Sequence, residues 1–377
     1  PMPRGGTATG LTRGAPGAFR PRMPSDSSYS FLKTLLGTPG PSGFERAPAR
    51  VWRDEARTFA EVHGDVMGNS YAVVPGGGGP TILLAGHVDE IGLIVTYVDD
   101  NGYAYVGPIG GWDPQVLVGQ RIRILGRDGD VHGVVGKKPI HLMKPEEREK
   151  ASKLTDLWID VGARSKEEAL ARVAIGDAAV IDGSMLELPN GRIVSRAIDN
   201  RIGAFTVLEA ARRYAARPGA ARVVAVATTQ EEIGWRGGGA VASAVHLAPA
   251  MSVVVDVTFA TDHPGVEKKE HGEAALGKGP VLTRGSIVSP VTFRLLREAA
   301  ERLERPYTVH AAGRESFTDA DAIHNAREGI ATALLSIPNR YMHSPNEMVS
   351  LDDVDHAAEI IAEACRAVTG ETDFTDR

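Results

Sequence analysis

Residues 81–90 read TILLAGHVDE, an unbroken apolar run that leads into the polar residues His87 and Asp89. A continuous apolar run, rather than an alternating one, is typical of a strand covered on both faces. Residues 222–229 (RVVAVATT) and 252–258 (SVVVDVT) have the same character. Helical periodicity flanks these runs at residues 201–216, 290–303 and 354–368. The alternation predicts an α/β sandwich with helices around a mixed or mostly parallel sheet.

The rest of the chain divides into segments of different composition. Residues 1–27 are rich in Gly, Pro, Arg and Ser and lack apolar periodicity, which predicts a disordered tail. Residues 93–188 are dense in Gly, Val, Ile and Asp, and short runs such as 121–125 predict the strands of a small barrel. We therefore predict a β-rich domain at 93–188, inserted into an α/β domain formed by residues 28–92 and 189–377.

Composition and charge exclude several classes of protein. The chain has 377 residues and a formal net charge of −6 at pH 7, which argues against nucleic-acid binding because such domains are usually basic. Cys365 is the single cysteine; this suits a reducing compartment, and its amphipathic surroundings predict a core residue. No apolar run approaches the ~20 residues of a membrane span. We expect a soluble, cytoplasmic protein without a membrane partner.

Polar residues with ligating or catalytic chemistry stand at the ends of the apolar strands, where ligands bind in open α/β sheets. His87 and Asp89 are two residues apart. A neutral imidazole is a common metal ligand, and a nearby carboxylate can fix its tautomer. A histidine satisfied by a turn is the alternative. Asp199 opens a predicted helix, where it either caps the helix or bridges two cations.

The remaining candidates are Glu231, Glu232, Asp256 and His343. The adjacent glutamates follow a strand and point in different directions, so one can hold a metal while the other faces a water. A surface charge pair is the alternative. Asp256 lies among β-branched residues, where an unpaired carboxylate is costly, so it requires a metal or a hydrogen-bond network. His343 follows the apolar run 331–336 and is either a ligand or a surface-loop residue.

Together these residues form a nitrogen and oxygen ligand set that suits Zn, Co or Mn. Two metals that share a carboxylate are the usual hydrolytic pair. The sequence has no G-x-S-x-G nucleophile elbow, no Walker loop and no G-x-G-x-x-G fingerprint. A metal-dependent hydrolase is therefore predicted.

The order of these motifs resembles metallopeptidase family 42, the tetrahedral aminopeptidases, which include glutamyl, leucyl and deblocking types and some members with an endoglucanase label. The resemblance covers residues 28–368. The motifs that carry it are Gly86-His87-Val88-Asp89-Glu90-Ile91-Gly92, Asp199-Asn200-Arg201, Gln230-Glu231-Glu232-Ile233-Gly234, Asp256-Val257-Thr258 and Arg340-Tyr341-Met342-His343-Ser344. It implies a phosphorylase/hydrolase-like three-layer α/β sandwich with an inserted β-barrel domain. It also implies an aminopeptidase that releases N-terminal residues from short peptides.

The resemblance implies two divalent metal ions per subunit, which are Zn, Co or Mn. One ion would be held by His87 and Asp256, and the other by Glu232 and His343. Asp199 would bridge the two ions.

The resemblance also implies the catalytic roles. Glu231 would be the general base that activates a metal-bridging water and then passes the proton to the leaving amine. Asp89 would orient His87. The family typically builds dimers through the inserted domain and dodecamers from those dimers, so a homo-oligomer is expected.

One segment departs from the family pattern. Where the family often has Gly-Gly-Gly-Thr-Asp-Ala, this chain reads Gly313-Arg314-Glu315-Ser316-Phe317-Thr318-Asp319-Ala320. In the family this segment normally lies near the substrate cleft. Arg314 either pairs with an acidic substrate side chain or is a solvated surface charge.

Other functions are compatible with parts of the sequence. The same metals could hydrolyse another amide, such as an N-acyl amino acid. An endoglucanase is less favoured, because glycosidases use a carboxylate pair without two metals and aromatic residues make up only 6% of the chain. A catalytically silent scaffold would have lost a ligand or the base, and this chain has all of them.

Overall fold

The computed structural model describes residues 25–234 and 237–375; residues 1–24 of the predicted tail lie outside this part. The strands are β1 (Glu61–Gly64), β2 (Ser70–Val74), β3 (Thr81–His87), β4 (Gly92–Val98), β5 (Ala104–Ile109), β6 (Arg121–Gly126), β7 (Gly129–Gly136), β8 (Trp158–Asp160), β9 (Ala178–Ile181), β10 (Leu186–Leu188), β11 (Arg192–Ser195), β12 (Arg222–Thr228), β13 (Met251–Phe259), β14 (Val281–Arg284), β15 (Thr308–Ala311), β16 (Ala331–Asn339) and β17 (Glu347–Ser350). The helices are α1 (Asp26–Gly37), α2 (Arg46–Ala56), α3 (Pro145–Arg148), α4 (Lys166–Leu170), α5 (Ile198–Ala216), α6 (Gly238–Leu247), α7 (Lys268–His271), α8 (Pro290–Arg302), α9 (Asp319–His324) and α10 (Leu351–Ala367).

The largest sheet has the strand order β1-β2-β12-β3-β13-β16-β14-β15. Its central strands β12, β3, β13 and β16 are parallel, whereas β2 and β14 pair antiparallel with the outer members of that group. Nearly all of β3 and β12 is buried, which explains their unbroken apolar sequences. The predicted mixed sheet is confirmed.

Helices cover both faces of this sheet. Leu84 of β3 packs in a cluster with Phe205 of α5, and α10 lies against α5 in the same layer. Leu83 points the opposite way, toward Ala240 of α6 and Ile323 of α9, because successive strand residues alternate between faces. The predicted three-layer sandwich is confirmed.

Strands β4, β5, β8, β7, β6 and β9 close into an antiparallel barrel in that order. The barrel has its own core around Leu93, Ile122 and Ile159. Its strands follow β3 and precede β11, so the barrel is an insertion in the sandwich. Strand β10 pairs with β11, and β11 pairs with β17, in a separate small sheet. The predicted inserted barrel is confirmed.

Some element boundaries differ from the predicted ones. Helix α1 begins at Asp26, within the predicted tail, because the Ser25 hydroxyl caps it by accepting the Ser28 N–H at 3.1 Å. Helix α5 begins at Ile198, ahead of the predicted residue 201. Cys365 is buried in α10, as predicted. No helix within the described residues is long and apolar enough to cross a membrane.

Candidate active site

The predicted site residues gather at one edge of the large sheet. His87 is the last residue of β3, and Glu231 and Glu232 come shortly after β12. Because β3 and β12 are parallel neighbours, their carboxyl ends meet at this edge. Asp256 lies inside β13, and Asp199 lies in the first turn of α5. The prediction that every candidate stands at a strand end is therefore wrong for these two aspartates.

Asp199 lies between two histidines. Its Oδ1 is 3.3 Å from Nε2 of His87, and its Oδ2 is 3.3 Å from Nε2 of His343. The same Nε2 of His343 is 3.4 Å from Oε2 of Glu232. The N-cap residue of α5 is Ala197, and no side chain caps this helix. The cap interpretation of Asp199 is therefore wrong, and its carboxylate faces both imidazoles.

Asp89 fixes the ring of His87 and the loop that carries the glutamates. Its Oδ1 is 3.4 Å from Nδ1 of His87. Its carboxylate accepts the backbone N–H of Glu231 at 3.3 Å, that of Glu232 at 3.1 Å, and the Ser42 hydroxyl. Burial raises the pKa of Asp89, but His87 and these donors outweigh it and hold the pKa below its usual value. Asp89 is therefore an anion that holds Nδ1 of His87 and leaves Nε2 toward Asp199.

The adjacent glutamates take part in two overlapping groups of possible ligand atoms. One atom from each of His87, Glu231 and Asp256 lies within 4.8 Å of the others, and the same holds for His87, Asp199 and Glu232. The Oε2 atom of Glu231 is 3.7 Å from Nε2 of His87. The side chain of Glu231 is 17% exposed and that of Glu232 is 5% exposed. The surface-pair interpretation of these glutamates is therefore wrong.

Two buried carboxylates without a predicted role complete the surroundings. Glu347 of β17 accepts the backbone N–H of Asp199 at 3.0 Å and that of His343 at 2.9 Å. Asp319, the first residue of α9, accepts the Thr228 hydroxyl through Oδ2 at 2.5 Å. Its Oδ1 is buried and has no hydrogen-bond partner within the described chain. A glutamate at the start of the otherwise apolar segment 347–350 was the available signal for Glu347.

Glu90, the last residue of the segment 81–90, has a structural role. It accepts the Gly40 N–H at 3.0 Å and Nη2 of Arg201 at 2.8 Å, and it also pairs with Arg196. Burial raises the pKa of Glu90, but the two arginines outweigh it and keep the pKa below its usual value. This buried ion cluster joins the segment before α2 to the start of α5, which carries Asp199.

The site holds an excess of buried negative charge. Burial and neighbouring carboxylates raise the pKa of Glu231, Glu232 and Asp256. Within residues 25–234 and 237–375, these carboxylates and Asp199 form ion pairs with imidazoles and with no lysine or arginine. The Oε1 atom of Glu232 is buried without a hydrogen-bond partner among the described residues. Divalent cations fit this nitrogen and oxygen donor set, because they would neutralise the carboxylates and engage the unpaired oxygen.

Comparison with known proteins identifies the family. The family model of the M42 glutamyl aminopeptidases matches residues 68–360. The lysyl aminopeptidase of Pyrococcus furiosus is 36% identical over 355 residues, covering 92% of this chain and 99% of that protein. The TET aminopeptidase of a marine sediment archaeon of the Thaumarchaeota has a TM-score of 0.86 at 35% identity, covering 91% of this chain and 97% of its own. The Pyrococcus horikoshii TET1 peptidase, which can assemble into a tetrahedron or a large octahedral shell, has a TM-score of 0.80 at 29% identity, covering 90% and 100%.

This chain therefore belongs to the M42 glutamyl aminopeptidase family. The predicted family and the predicted peptidase are confirmed. Because these relatives are aminopeptidases, they do not support the alternative of a deacylase for another amide.

Proposed function

We propose that this chain is a dinuclear metal-dependent aminopeptidase that releases N-terminal residues from short peptides. The observation that carries the proposal is the position of Asp199, whose two carboxylate oxygens each lie 3.3 Å from Nε2 of a different histidine. A single carboxylate between two imidazoles, with further carboxylates around it, is the arrangement that two neighbouring divalent ions require.

The proposed ligands follow from these positions. His87 and Asp256 would hold one ion, Glu232 and His343 would hold the other, and Asp199 would serve both. Zn, Co and Mn all suit these donors. When bound, such ions polarise a substrate carbonyl and lower the pKa of coordinated water.

Glu231 is the proposed general base. Its carboxylate reaches to within 3.7 Å of the Nε2 atom of His87, at the mouth of the ligand cluster. Burial is the main cause that raises the pKa of Glu231, which makes its carboxylate a stronger proton acceptor than an exposed glutamate. Glu231 would take the proton of the attacking water and give it to the leaving amine. Asp89 would act through His87 by keeping Nε2 turned toward the ligand cluster.

Restoration of activity by metals tests this function. Protein stripped with a chelator is expected to be inactive on a panel of aminoacyl p-nitroanilides and to regain hydrolysis when Co, Zn or Mn is added. The measurement is the rate of p-nitroaniline release. The matched control is the N-acetylated form of each substrate, which an aminopeptidase leaves uncut because it lacks the free amine.

Two outcomes would contradict the proposal. Equal cleavage of the N-acetylated substrates would favour a hydrolase of another amide. Full activity after complete removal of the metals would rule out metal-dependent hydrolysis.

The barrel is the proposed dimerisation element. Large apolar side chains are exposed on it, including Ile140 at 59% and Leu142 at 68%. Exposed apolar groups of this kind mark protein contacts. The assembly of the Pyrococcus horikoshii TET1 peptidase supports a homo-oligomer of this chain, with a dodecamer as the specific proposal. A cytoplasmic location remains a prediction from the single cysteine.

Charge placed on the barrel is expected to break the assembly. The double variant Ile140→Asp/Leu142→Asp should reduce the mass measured by light scattering from that of the oligomer to that of a monomer, because burying a charge at an apolar contact is costly. Val66→Asp is the control, since Val66 is fully exposed in the turn between β1 and β2. An unchanged mass in the double variant would remove this part of the barrel from the interface.

A further inference from the structure

An open cleft of about 840 Å³ lies beside the glutamate pair. Its charged lining consists of the carboxylates of Glu231, Glu232, Glu315, Asp319 and Asp321. Among the described residues that line the cleft, none is a lysine, an arginine or a histidine. The cleft therefore presents negative charge to any group that enters it from the solvent.

The cleft carboxylates differ in how far they are already satisfied. Glu231 and Glu232 belong to the proposed catalytic centre. Asp321 is occupied, because it accepts the backbone N–H of Ser316 at 2.9 Å and that of Phe317 at 2.8 Å.

Two carboxylates of the lining remain incompletely paired. Asp319 is 2% exposed, and its Oδ1 has no hydrogen-bond partner within the described chain. Glu315 is exposed and forms no hydrogen bond or ion pair with the described residues. Glu315 is thus the accessible anion of the cleft, above a floor that already carries unpaired negative charge.

The same cleft has apolar surface for an aliphatic stem. Phe317 is 71% exposed and Ile233 is 48% exposed, and both line the cleft. Phe317 has a φ of 58°, a region that large side chains rarely adopt. The bonds from Asp321 hold the Phe317 backbone in that conformation. The loop that presents Glu315 and Phe317 is therefore a fixed part of the cleft wall.

We propose that this cleft selects substrates with a basic N-terminal residue, lysine or arginine, and that Glu315 is the specificity-determining residue. The inference rests on the proposed aminopeptidase function. The methylene stem would lie against Phe317 and Ile233, and the cationic end would meet Glu315. Arg314, the predicted alternative partner for an acidic substrate, is exposed and is not among the residues that line the cleft.

Lysine and norleucine p-nitroanilides test the proposal, because both have a straight four-carbon stem and only lysine carries the ammonium group. We expect kcat/KM to favour lysine by about tenfold, the scale of a charge pair at a protein surface. Glu315→Gln should reduce the lysine-to-norleucine ratio by about fivefold and leave the rate on norleucine unchanged. Raising the ionic strength to about 1 M should also reduce the ratio, because the screening length falls to about 3 Å.

Glu328→Gln is the matched control, because Glu328 is exposed and is not among the residues that line the cleft. It should leave the ratio unchanged. A wild-type preference for norleucine or for a glutamyl substrate would overturn the proposal. An equal loss on lysine and norleucine in Glu315→Gln would also overturn it, since that result indicates a general defect.

Equilibrium binding separates this inference from the proposed function. Calorimetric titration of the metal-loaded protein with lysinamide and with norleucinamide measures the preference without any turnover. If no substrate is hydrolysed but lysinamide binds more tightly in a Glu315-dependent way, the aminopeptidase proposal fails and the basic selectivity stands. If substrates are hydrolysed but neither rates nor binding favour lysine, only the selectivity fails.

Discussion

Replacing Glu231 by glutamine is expected to lower kcat/KM for peptide hydrolysis by about 10²–10⁴-fold, the usual contribution of a general base. Glutamine keeps the shape of the side chain and the backbone N–H bond to Asp89, but it cannot take a proton from water. The proposed ligand set does not include Glu231, so the metal content should stay at two ions per subunit. The measurements are steady-state kinetics on the best p-nitroanilide of the panel and elemental analysis of the dialysed protein.

The exposed variant Glu328→Gln is again the matched control for a lost glutamate charge, and its rate should equal that of the wild type. Activity of Glu231→Gln within tenfold of the wild type would show that another group is the base. Loss of an ion together with activity would instead make Glu231 a ligand, which its 3.7 Å distance from Nε2 of His87 leaves geometrically possible.

The centre of the fold was predictable because burial on both faces leaves a direct mark on the sequence. Strands β3, β12 and β13 are nearly all apolar, since helices cover both sides of the sheet. The edge strands carry no such mark. Residues 308–311 of β15 alternate between half-buried and exposed positions, and they form a strand only because β14 supplies a hydrogen-bonding partner.

The candidate site was predictable where a residue's chemistry conflicts with its surroundings. His87 and Asp256 are polar residues in apolar strands, and the glutamate pair follows another such strand. Glu347 was not found because its contribution is made through backbone N–H groups. It binds the N–H of Asp199, 148 positions away along the chain, and no local pattern encodes that contact.

The cleft shows the same limit at the level of neighbouring residues. Arg314 and Glu315 are adjacent and oppositely charged, so the sequence left open which charge would meet the substrate. The structure places Glu315 in the lining and leaves Arg314 outside it. The path of the loop decides this, and that path depends on the bonds that Ser316 and Phe317 donate to Asp321.

Replacing Asp199 by asparagine is expected to reduce the metal content from two ions per subunit to one or fewer and to abolish hydrolysis. The wild-type carboxylate has one oxygen 3.3 Å from Nε2 of His87 and the other 3.3 Å from Nε2 of His343. Asparagine has the same shape but offers a single neutral oxygen, and its amide group is a donor that repels a cation. Metal content is measured on dialysed protein, and the affinity for each ion is measured by titration of the stripped protein.

Asp89→Asn provides a graded comparison, because Asp89 contacts His87 at Nδ1 and lies behind the proposed ligands. Loss of such an outer partner typically costs about 10–100-fold in metal affinity or activity, so this variant should still bind two ions at saturating metal. The loss in Asp199→Asn should exceed that range and should not be restored by added metal. If Asp199→Asn retained two tightly bound ions, the bridging assignment would be wrong. If both variants lost affinity equally, Asp199 would hold the histidines in place without contacting the ions itself.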